Sequence, residues 1–585
     1  MKPFSKNKLF LLLIFFIAFF LRIYGINWDQ NNHLHPDERQ IIMVTENIKL
    51  PVNIKISEIF SSNSPLNPKF FAYGSFPIYL LKFTGYIFSH FDPSISSYDK
   101  INLLGRLISA IFDSLTVLLI YLISKQLFFS NKKALLASLV YALSVLPIQL
   151  SHFYAVDTLL TFFICLTLYQ TITLYRHFTI KNSIFAGIYF GLALATKISA
   201  TVLLISFFFS FTVETLLSLK KEIFSQKSSS RQKIIIITAS LINPSFWIKS
   251  RIFKLKKVII YSLLIVLFTV LTFVVFQPYS VIDFPTFWRQ INEQKAMTRD
   301  AFVFPYTLQY VGTMPYWYQL KNIFLWGMGP VFSILSLLGL ILTFKKLIKG
   351  LTTPGNENSE GAQLILFSFF LAYFFVVGNF AIKFMRYCLP LYPIFAIFSA
   401  NALVYFKKNI RLLFFTANLL WLFSFLSIYS KPNTRVSATN WINNNIPSGS
   451  MILREHWDDG LPLGYNNQYI LEELTLYDYD LDSRKWLRIN QQLKQADYLI
   501  IASNRLYTPL QKLVNCQDLP PDKCYPVTAQ YYQDLFSGKL GYSKVAEFTS
   551  FPSLFGFSIN DQSADESFTV YDHPKVIIFK NNNKK

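Results

Sequence analysis

Long apolar segments recur along the first 430 residues of the chain and stop there. A helix that spans a bilayer needs about 20 mostly apolar residues. The segments that approach this pattern are 8–24, 103–128, 133–151, 154–175, 183–198, 200–218, 258–277, 323–345, 362–381, 386–405 and 411–429. The predicted fold class is mainly α, a polytopic transmembrane helical bundle of about eleven spans.

After residue 429 the pattern changes, and short helix-like and strand-like runs alternate. Helices are predicted at Val436-Ser-Ala-Thr-Asn-Trp-Ile, at Trp486-Leu-Arg-Ile-Asn-Gln-Gln-Leu and over 531–536, and strands over 450–455, 497–502 and 576–579. This alternation predicts a small α/β domain. The chain thus divides into a transmembrane module, 1–429, with long loops at about 25–102 and 278–322, and a soluble domain, 430–585. The first loop contains an aromatic segment over 70–81 that suits a helix lying at the membrane interface.

Basic residues predict the orientation of the transmembrane module. They lie between predicted spans, at Lys125, Lys132, Lys133, Arg176, Lys181, Lys345, Lys346, Lys349, Lys407, Lys408 and Arg411, and most densely from Lys220 to Lys257. Because cytoplasmic loops carry an excess of Lys and Arg, the N-terminus is expected in the cytoplasm. An odd number of spans then places residues 430–585 outside. Reading 183–218 as one long helix would move the basic loop outside, so the charge favours a hairpin there.

Composition supports a membrane protein. Apolar residues make up 52% of the chain and charged residues 15%, against roughly 25% charged in an average soluble protein. The net charge of +22 would suit nucleic-acid binding, but its placement between spans indicates topology and contact with anionic lipids. Cys516 and Cys524 are able to form a short disulfide if the C-terminal domain is extracytoplasmic.

The most informative polar cluster is the sequence His-Leu-His-Pro-Asp-Glu-Arg at residues 33–39, just after the first predicted span. Pro36 and the acids Asp37 and Glu38 also suit the start of a helix, so a solvated helix start remains an alternative to a functional site. An ionised carboxylate at this position can take a proton from an attacking hydroxyl. Histidines and carboxylates together can hold a divalent cation, although the spacing matches no strong metal motif.

Ionisable residues within spans are costly in hydrocarbon and therefore indicate function. Arg106 and Asp113 lie about two turns apart on the second predicted span, too far to pair directly, so each needs another partner. Further candidates fall near the outer edge: His152, Asp157, Lys197, Lys383 and Arg386. Snorkelling or helix pairing would explain each one singly. Together they predict a site at the outer face, whereas a transporter would tend to place such groups near the midplane.

Several of these residues lie in longer motifs: His35-Pro-Asp-Glu38, Gly105-Arg106-Leu-Ile-Ser, Asp157, Gly191-Leu-Ala-Leu-Ala-Thr-Lys197, Pro305-Tyr-Thr-Leu-Gln-Tyr310 with Trp326-Gly, and Arg386-Tyr387-x-x-Pro390. In these motifs the chain resembles the GT-C polytopic glycosyltransferases, specifically the bacterial relatives of dolichyl-phosphate-mannose–protein mannosyltransferases and of the lipid A aminoarabinose transferase. The Asp-Glu pair is the most specific element. A soluble domain follows the last span instead of being inserted in the loops, which leaves a glycan, lipid or protein acceptor open.

The resemblance implies that a sugar carried on polyprenyl phosphate is transferred, with inversion, to an acceptor hydroxyl at the outer face. It implies Asp37 as general base or acceptor-orienting group, assisted by Glu38. Cations would stabilise the leaving phosphate, and the candidates are Lys197 and Arg386, then Lys383 and Arg106. Further site candidates are His35, His152, Asp157 and Tyr387.

The sequence requires no cofactor and leaves a divalent cation open. The expected partners are a polyprenyl-phosphate-linked sugar donor, a glycan, lipid or protein acceptor, and membrane lipids, without nucleic acid. The expected location is the cell membrane. Two other functions remain open: a transporter or flippase of a lipid-linked glycan, and a scaffold that displays the C-terminal domain. Within that domain, Glu455-His-Trp-Asp-Asp459 is a candidate carbohydrate contact, although the pattern favours a strand end on the surface.

Overall fold

The computed structural model describes residues 6–49, 56–213, 252–352, 357–464 and 467–584. Most of the basic segment from Lys220 to Lys257, and the end of the predicted span 200–218, lie outside these ranges. Up to residue 430 the described chain is mainly helical. The helices there are Lys6–Ile23, Pro36–Asn47, Ile56–Ile59, Ser75–Ser89, Tyr98–Phe128, Asn131–Ala142, Val145–Ser151, Asp157–Arg176, Ile180–Thr196, Ile198–Val213, Ile252–Phe276, Tyr279–Ile282, Phe284–Arg299, Trp317–Asn322, Pro330–Thr352, Glu357–Gly378, Tyr392–Leu403 and Lys408–Leu426.

Several of these helices have the length and composition to cross a membrane. Six described helices qualify, or up to seven if the bent pair Asn131–Ala142 and Val145–Ser151 forms one span. The prediction of a mainly helical chain with several membrane-length apolar helices is therefore confirmed, whereas the number of about eleven spans is not.

The structure has fewer membrane-length helices than predicted at places where an apolar run is broken or short. The predicted span 133–151 is two helices bent by 56°. The predicted span 386–405 starts as a 3₁₀ helix, Met385–Leu391, which contains Pro390, and continues as a helix of only 12 residues, Tyr392–Leu403. Proline removes a backbone donor and disfavours a continuous helix. Apolar composition alone does not distinguish one spanning helix from two short buried ones.

Two charged side chains of the apolar helices, Arg22 and Asp113, face inward. Arg22 Nε donates to Asp113 Oδ2 at 2.5 Å, and the Tyr141 hydroxyl donates to Asp113 Oδ1 at 2.6 Å, with all three residues buried. Asp113 is too far from Arg106 to pair with it, as expected, and pairs with Arg22 instead. Apolar side chains such as Leu263 and Val275 are instead exposed on Ile252–Phe276, as expected of a surface that faces lipid.

The loops on the predicted outer side pack on one another as short helices. Asn67 Nδ2 donates to Asp283 Oδ2 at 2.8 Å, and the Phe71 amide donates to Gln290 Oε1 at 2.6 Å. The aromatic segment predicted as an interfacial helix forms Ser75–Ser89, which exposes Phe83 and other apolar side chains. These contacts tie the loop 25–102 to the loop 278–322.

The C-terminal domain is built on a five-stranded mixed sheet with the order β2-β1-β3-β7-β4. The strands are β1 (Met451–Glu455), β2 (Ile470–Leu474), β3 (Tyr498–Ile501), β4 (Tyr542–Phe548) and β7 (Val576–Asn581), with a separate hairpin of β5 (Ser553–Leu554) and β6 (Phe557–Ser558). The helices are Thr434–Asn445, Ser483–Gln495, Asn504–Tyr507, Pro526–Phe536 and Glu566–Thr569. Strand β1 is parallel to β2 and β3, and β7 is antiparallel to β3 and β4. Cys516 and Cys524 form a disulfide.

A segment of the C-terminal domain inserts into the helical module. Phe568, Val570 and Tyr571 belong to the same buried apolar cluster as the membrane helices. The carboxylate of Asp572 accepts hydrogen bonds from Tyr429 at 2.9 Å and from Gln149 at 3.0 Å.

The next residue reinforces this joint. His573 lies between the carboxylates of Asp572 and Asp561, at 2.5 and 2.8 Å. Although burial alone would lower the pKa of His573, the two carboxylates raise it to about 10. The ring is therefore charged and pairs with Asp572 and Asp561 within the C-terminal domain. The domain is held to the helices by the hydrogen bonds from Tyr429 and Gln149 to Asp572 and by apolar packing.

Candidate active site

The helix Pro36–Asn47 presents its two leading acids in different directions. His35 caps the helix, and its Nδ1 accepts a hydrogen bond from the Glu38 amide at 3.3 Å. Pro36 occupies the first turn, where its missing amide proton is not needed. Because successive helical residues are rotated by about 100°, Asp37 and Glu38 cannot face the same surroundings. Glu38 is fully buried, and the Asp37 side chain is 19% exposed.

Glu38 is held in a buried ionic cluster. Arg106 donates to Glu38 Oε1 at 2.6 Å and to Glu38 Oε2 at 3.0 Å, and it donates to both Asp29 oxygens at 2.8 and 2.9 Å. The Tyr154 amide donates to Glu38 Oε2 at 2.9 Å. The hydrogen-bonding groups of Glu38 and Arg106 are therefore occupied by the protein itself. This geometry suits a role in positioning the helix, which differs from the predicted roles of catalytic assistance and phosphate binding.

Asp37 has a different partner, because it forms an ion pair with Arg386. The guanidinium of Arg386 lies 5.0 Å from the centre of the Phe384 ring and 5.8 Å from that of Tyr387. Arg386 begins the Arg-Tyr-x-x-Pro motif in the 3₁₀ helix Met385–Leu391. The structure thus joins a loop motif near the start of the chain to one more than 300 residues later.

A second ion pair lies beside the first. Lys197 Nζ donates to Asp157 Oδ1 at 2.9 Å. The same ammonium is 5.0 Å from the Tyr387 ring centre and 5.7 Å from that of Tyr73. Because Tyr387 contacts both Lys197 and Arg386, the two ion pairs form one cluster. Five of the predicted site residues are therefore brought together: Asp37, Asp157, Lys197, Arg386 and Tyr387.

Unusual backbone geometry positions the second ion pair. Val156, which precedes Asp157, has a φ of +57°, a left-handed conformation that β-branched residues rarely adopt. Lys197 follows the helix Ile180–Thr196 in extended conformation. The Gly74 amide donates to the Thr196 carbonyl at 3.0 Å, and a Cβ at Gly74 would lie 1.8 Å from the Ala195 oxygen. Only glycine permits this close approach, which fixes the backbone directly before Lys197.

His35 and the C-terminal domain meet at the same place. The His35 ring lies 4.4 Å from that of Phe153 and 4.2 Å from that of Tyr571. Burial, together with the surrounding guanidinium groups of Arg386, Arg106, Arg505 and Arg39, holds the pKa of His35 well below its usual range. A neutral ring leaves Nδ1 free to accept from the Glu38 amide.

The sequence prediction missed Tyr571 and Arg505, which reach the site from the C-terminal domain. Arg505 pairs with Glu566 at 2.5 Å and approaches the Tyr571 hydroxyl at 3.4 Å. Neither residue lies in an apolar segment or in a recognisable motif. The sequence therefore carried no signal that would have identified them.

Two predicted candidates have local partners instead. Lys383 Nζ donates to the Ala381 carbonyl at 3.0 Å, and burial lowers its pKa. The His152 ring nitrogens lie 2.8 Å from the carbonyl oxygens of Ile148 and Tyr24, and the ring stacks on Tyr429 at 3.9 Å. Both arrangements suit packing between segments. Within the described residues, no group of three or more His, Cys, Asp or Glu side chains could hold a metal ion.

The segment Glu455–Asp459 contacts the helical module through Asp459 and the rest of the C-terminal domain through Asp458 and Glu455. Arg39 donates to Asp459 at 2.9 Å, and Arg435 donates to Asp458 at 2.6 Å. Glu455 is 4% exposed and accepts from the Tyr532 hydroxyl at 2.8 Å. The expected strand, β1, is present, and His456 and Trp457 directly after it are exposed, as expected of a strand end on the surface, whereas Glu455 is buried. The proposed carbohydrate contact stays a prediction.

Glu455 makes stability depend on pH. Burial raises the pKa of Glu455 to about 8, so the folded chain binds a proton there that the unfolded chain has lost. The stability that this proton binding contributes is therefore lost as the pH rises from about 4.5 to about 8, at most about 1.4 kcal/mol per pH unit. We expect the melting temperature of the full-length protein to fall over this range by less in Glu455→Gln than in the wild type. An exposed control, Glu293→Gln, should follow the wild type, and identical pH profiles for all three proteins would contradict the assignment.

Comparison with known proteins shows a resemblance in sequence over part of the chain and in fold over most of it. None of the curated protein sequences matches the chain. Residues 102–242, about a quarter of the chain, match the family described as dolichyl-phosphate-mannose-protein mannosyltransferase. This range contains Arg106, Asp157 and Lys197.

Solved structures are similar over nearly the whole length. The oligosaccharyltransferase of Archaeoglobus fulgidus, tethered with an acceptor peptide, has a TM-score of 0.50 and 14% identity, covering 98% of this chain and 88% of that chain. The archaeal oligosaccharyltransferase AglB of the same organism, in complex with an inhibitory peptide and a dolichol-phosphate, has a TM-score of 0.49, 14% identity and the same coverage. ArnT from Cupriavidus metallidurans, in the apo state, has a TM-score of 0.43 and 11% identity, covering 87% and 96%. The resemblance of this chain to the GT-C glycosyltransferases, in fold and over residues 102–242 in sequence, is thereby confirmed.

Proposed function

We propose that the chain is an inverting glycosyltransferase that moves a sugar from a polyprenyl-phosphate carrier to an acceptor hydroxyl at the outer face of the membrane. The observation that carries the proposal is the cluster of two ion pairs, Asp37–Arg386 and Asp157–Lys197, around Tyr387. Transfer from a phosphate donor needs a carboxylate to receive the proton of the hydroxyl and cations to stabilise the departing phosphate. This cluster supplies both.

The reaction follows from these groups. The acceptor oxygen attacks the anomeric carbon while Asp37 receives the hydroxyl proton. The bond between that carbon and the phosphate oxygen breaks on the opposite face, and polyprenyl phosphate leaves as an anion. Arg386 and Lys197 stabilise its charge, so that no general acid is needed.

Because both cations are paired with carboxylates, binding of the donor also changes the state of Asp37. In the absence of donor, Asp37 is occupied by Arg386 and Lys197 by Asp157. A donor phosphate competes with both carboxylates for the two cations. Binding of the donor therefore draws Arg386 away from Asp37 and frees the carboxylate for the acceptor.

The remaining predicted residues take supporting roles in this proposal. Arg106 and Glu38 fix the helix that carries Asp37, because each is fully buried and bound to the other. His35 caps that helix. Lys383 is a weaker phosphate ligand than Lys197 or Arg386, since its ammonium is buried against the Ala381 carbonyl. Whether the reaction requires a divalent cation is tested below with a chelator.

We place the site and the C-terminal domain on the extracytoplasmic side of the membrane. The disulfide between Cys516 and Cys524 supports this orientation, because disulfides persist in oxidising compartments. The excess of Lys and Arg in the opposite loops supports it as well.

The test is an assay of the purified protein with a panel of polyprenyl-phosphate sugars and candidate glycan, lipid and protein acceptors. We expect one donor to be consumed with release of polyprenyl phosphate and formation of a glycosidic bond of inverted configuration, detected by mass spectrometry and NMR. Parallel reactions with a chelator decide whether a metal is required.

Vesicles distinguish transfer from transport. If a labelled lipid-linked glycan moves across the bilayer of reconstituted vesicles while no new glycosidic bond forms with any member of the panel, the chain is a transporter and the proposal fails. Retention of configuration in the product would overturn the single-displacement mechanism while leaving transfer intact.

A further inference from the structure

A cavity of about 270 Å³ lies between the outer loop of the helical module and the C-terminal domain. Its floor includes buried Asn504, Gln309 and Glu566, and exposed Lys321 and Lys512 lie at its rim. The cavity is separate from the two ion pairs, but Glu566 connects it to them. Glu566 pairs with Arg505, which approaches Tyr571, and Tyr571 packs on His35.

The polar groups of this cavity are not fully used by the protein. The Asn504 side chain is 6% exposed, and its Oδ1 has no hydrogen-bond partner among the described residues. Both side-chain polar atoms of Gln562, which also lines the cavity, are buried without a described partner. Buried polar groups are normally hydrogen-bonded, and leaving one unpaired costs roughly 1–3 kcal/mol. These amides therefore favour a ligand that donates and accepts hydrogen bonds.

The rim adds positive charge. Neither Lys321 nor Lys512 forms an ion pair within the described part of the chain. Burial and the charge of Lys321 both lower the pKa of Lys512, because the two ammonium groups lie close enough to repel each other. A pair of cations without a carboxylate partner attracts an anion.

We propose that this cavity binds an anionic sugar unit of the acceptor, a hydroxyl-rich ring that carries a carboxylate or a phosphate. The amides bind its hydroxyl groups, the lysines bind its charge, and the volume accommodates about one ring. The identification of this sugar as part of the acceptor rests on the proposed function, but binding of the sugar to the cavity does not depend on catalysis.

Saturation-transfer NMR on the full-length protein in phosphatidylcholine nanodiscs tests the site with glucuronate, glucose 6-phosphate and glucose. We expect transfer to an anionic sugar and not to glucose. Glucuronate alone would identify a carboxylate, and glucose 6-phosphate alone a phosphate. The signal should be lost in Lys321→Gln/Lys512→Gln and retained in the control Lys494→Gln/Lys539→Gln, whose lysines are exposed elsewhere on the domain.

Three results would overturn the site: equal transfer to glucose, no transfer to any of the three, or an unchanged signal in the Lys321→Gln/Lys512→Gln protein. The Asp37→Asn protein should bind the sugar normally. A failure of the cavity is thus distinguishable from a failure of the transferase, which is measured on product formation alone.

A separate feature carries a second inference. The hairpin of β5 and β6 exposes Phe555 by 84% and Phe557 by 81%, more than any other large apolar residues of the described C-terminal domain. Its first strand is fixed at the end of the last membrane helix, where the Ser553 amide donates to the Ser427 hydroxyl at 3.0 Å. Lys431 lies beside it. Aromatic side chains at the end of a spanning helix, flanked by a lysine, belong in the headgroup region.

We infer that this hairpin inserts Phe555 and Phe557 into the bilayer interface and anchors the C-terminal domain there. A nitroxide on Phe555→Cys, in nanodiscs, should be accessible to oxygen and protected from a water-soluble nickel chelate. Leu487→Cys is the control, because Leu487 is 74% exposed on a helix that packs against β1. The native free cysteines are both buried. Equal accessibility of the two labels to the nickel chelate would overturn the inference.

Discussion

Asp37→Asn is expected to lower the rate of sugar transfer by about 10²- to 10⁴-fold, the usual contribution of a general base. Asparagine keeps the shape of the side chain and its position in the first turn of Pro36–Asn47. It cannot accept the proton of the attacking hydroxyl, and it cannot form the ion pair with Arg386. The measurement is the single-turnover rate of release of polyprenyl phosphate from the donor identified in the panel.

The donor should bind Asp37→Asn at least as tightly as it binds the wild type. In the variant the phosphate no longer competes with a carboxylate for Arg386, so that the dissociation constant falls while the rate falls. Asp99→Asn, at an exposed acid of the same loop, should leave both quantities unchanged. Wild-type turnover in Asp37→Asn would remove Asp37 from the mechanism.

Arg106→Gln is expected to have the largest effect on stability, roughly 3–5 kcal/mol. The substitution leaves Asp29 and Glu38 buried without the cation that both contact. An uncompensated buried charge costs far more than the loss of an exposed pair. The measurement is thermal unfolding of the detergent-solubilised protein, followed by the fraction that remains monodisperse after heating.

A matched variant separates burial from the loss of an arginine. Arg289→Gln breaks a pair with Glu293 whose side chains are 64% and 55% exposed, and we expect it to change stability by less than about 1 kcal/mol. Adding Asp29→Asn and Glu38→Gln to Arg106→Gln should recover part of the lost stability, because no charge is then left buried. An unchanged melting temperature in Arg106→Gln alone would contradict the role assigned to this cluster.

The sequence predicts the fold correctly where the pattern within a single segment is enough to indicate its secondary structure. Apolar runs predicted the helical module, and the alternation after residue 429 predicted β1, β3 and β7 and three helices. Strand β4 was missed because its outward side chains are polar, including Lys544 and Glu547. The span count differed because short buried helices such as Tyr392–Leu403 have the composition of spans.

For the site, the sequence predicted the residues better than their roles. Asp37, Lys197 and Arg386 could be selected from their position at the outer edge of predicted spans. The separation of Asp37 from Glu38 was not predictable, because it depends on Arg106 entering from another helix to bind Glu38. Tyr571 could not be found, since its proximity to His35 is created only by the folding of the C-terminal domain onto the helices.

The contact between His35 and Tyr571 has a consequence for biosynthesis. A ribosome makes the loop around His35 at the beginning of translation and reaches Tyr571 near the end of the 585-residue chain. The Arg39–Asp459 pair likewise cannot form until the C-terminal domain has been synthesised. Throughout synthesis and membrane insertion the loop that carries Asp37 therefore lacks its final packing partners. A chain that is truncated or stalled before residue 571 contains every membrane helix that the structure describes and the residues of both ion pairs, but not the completed site.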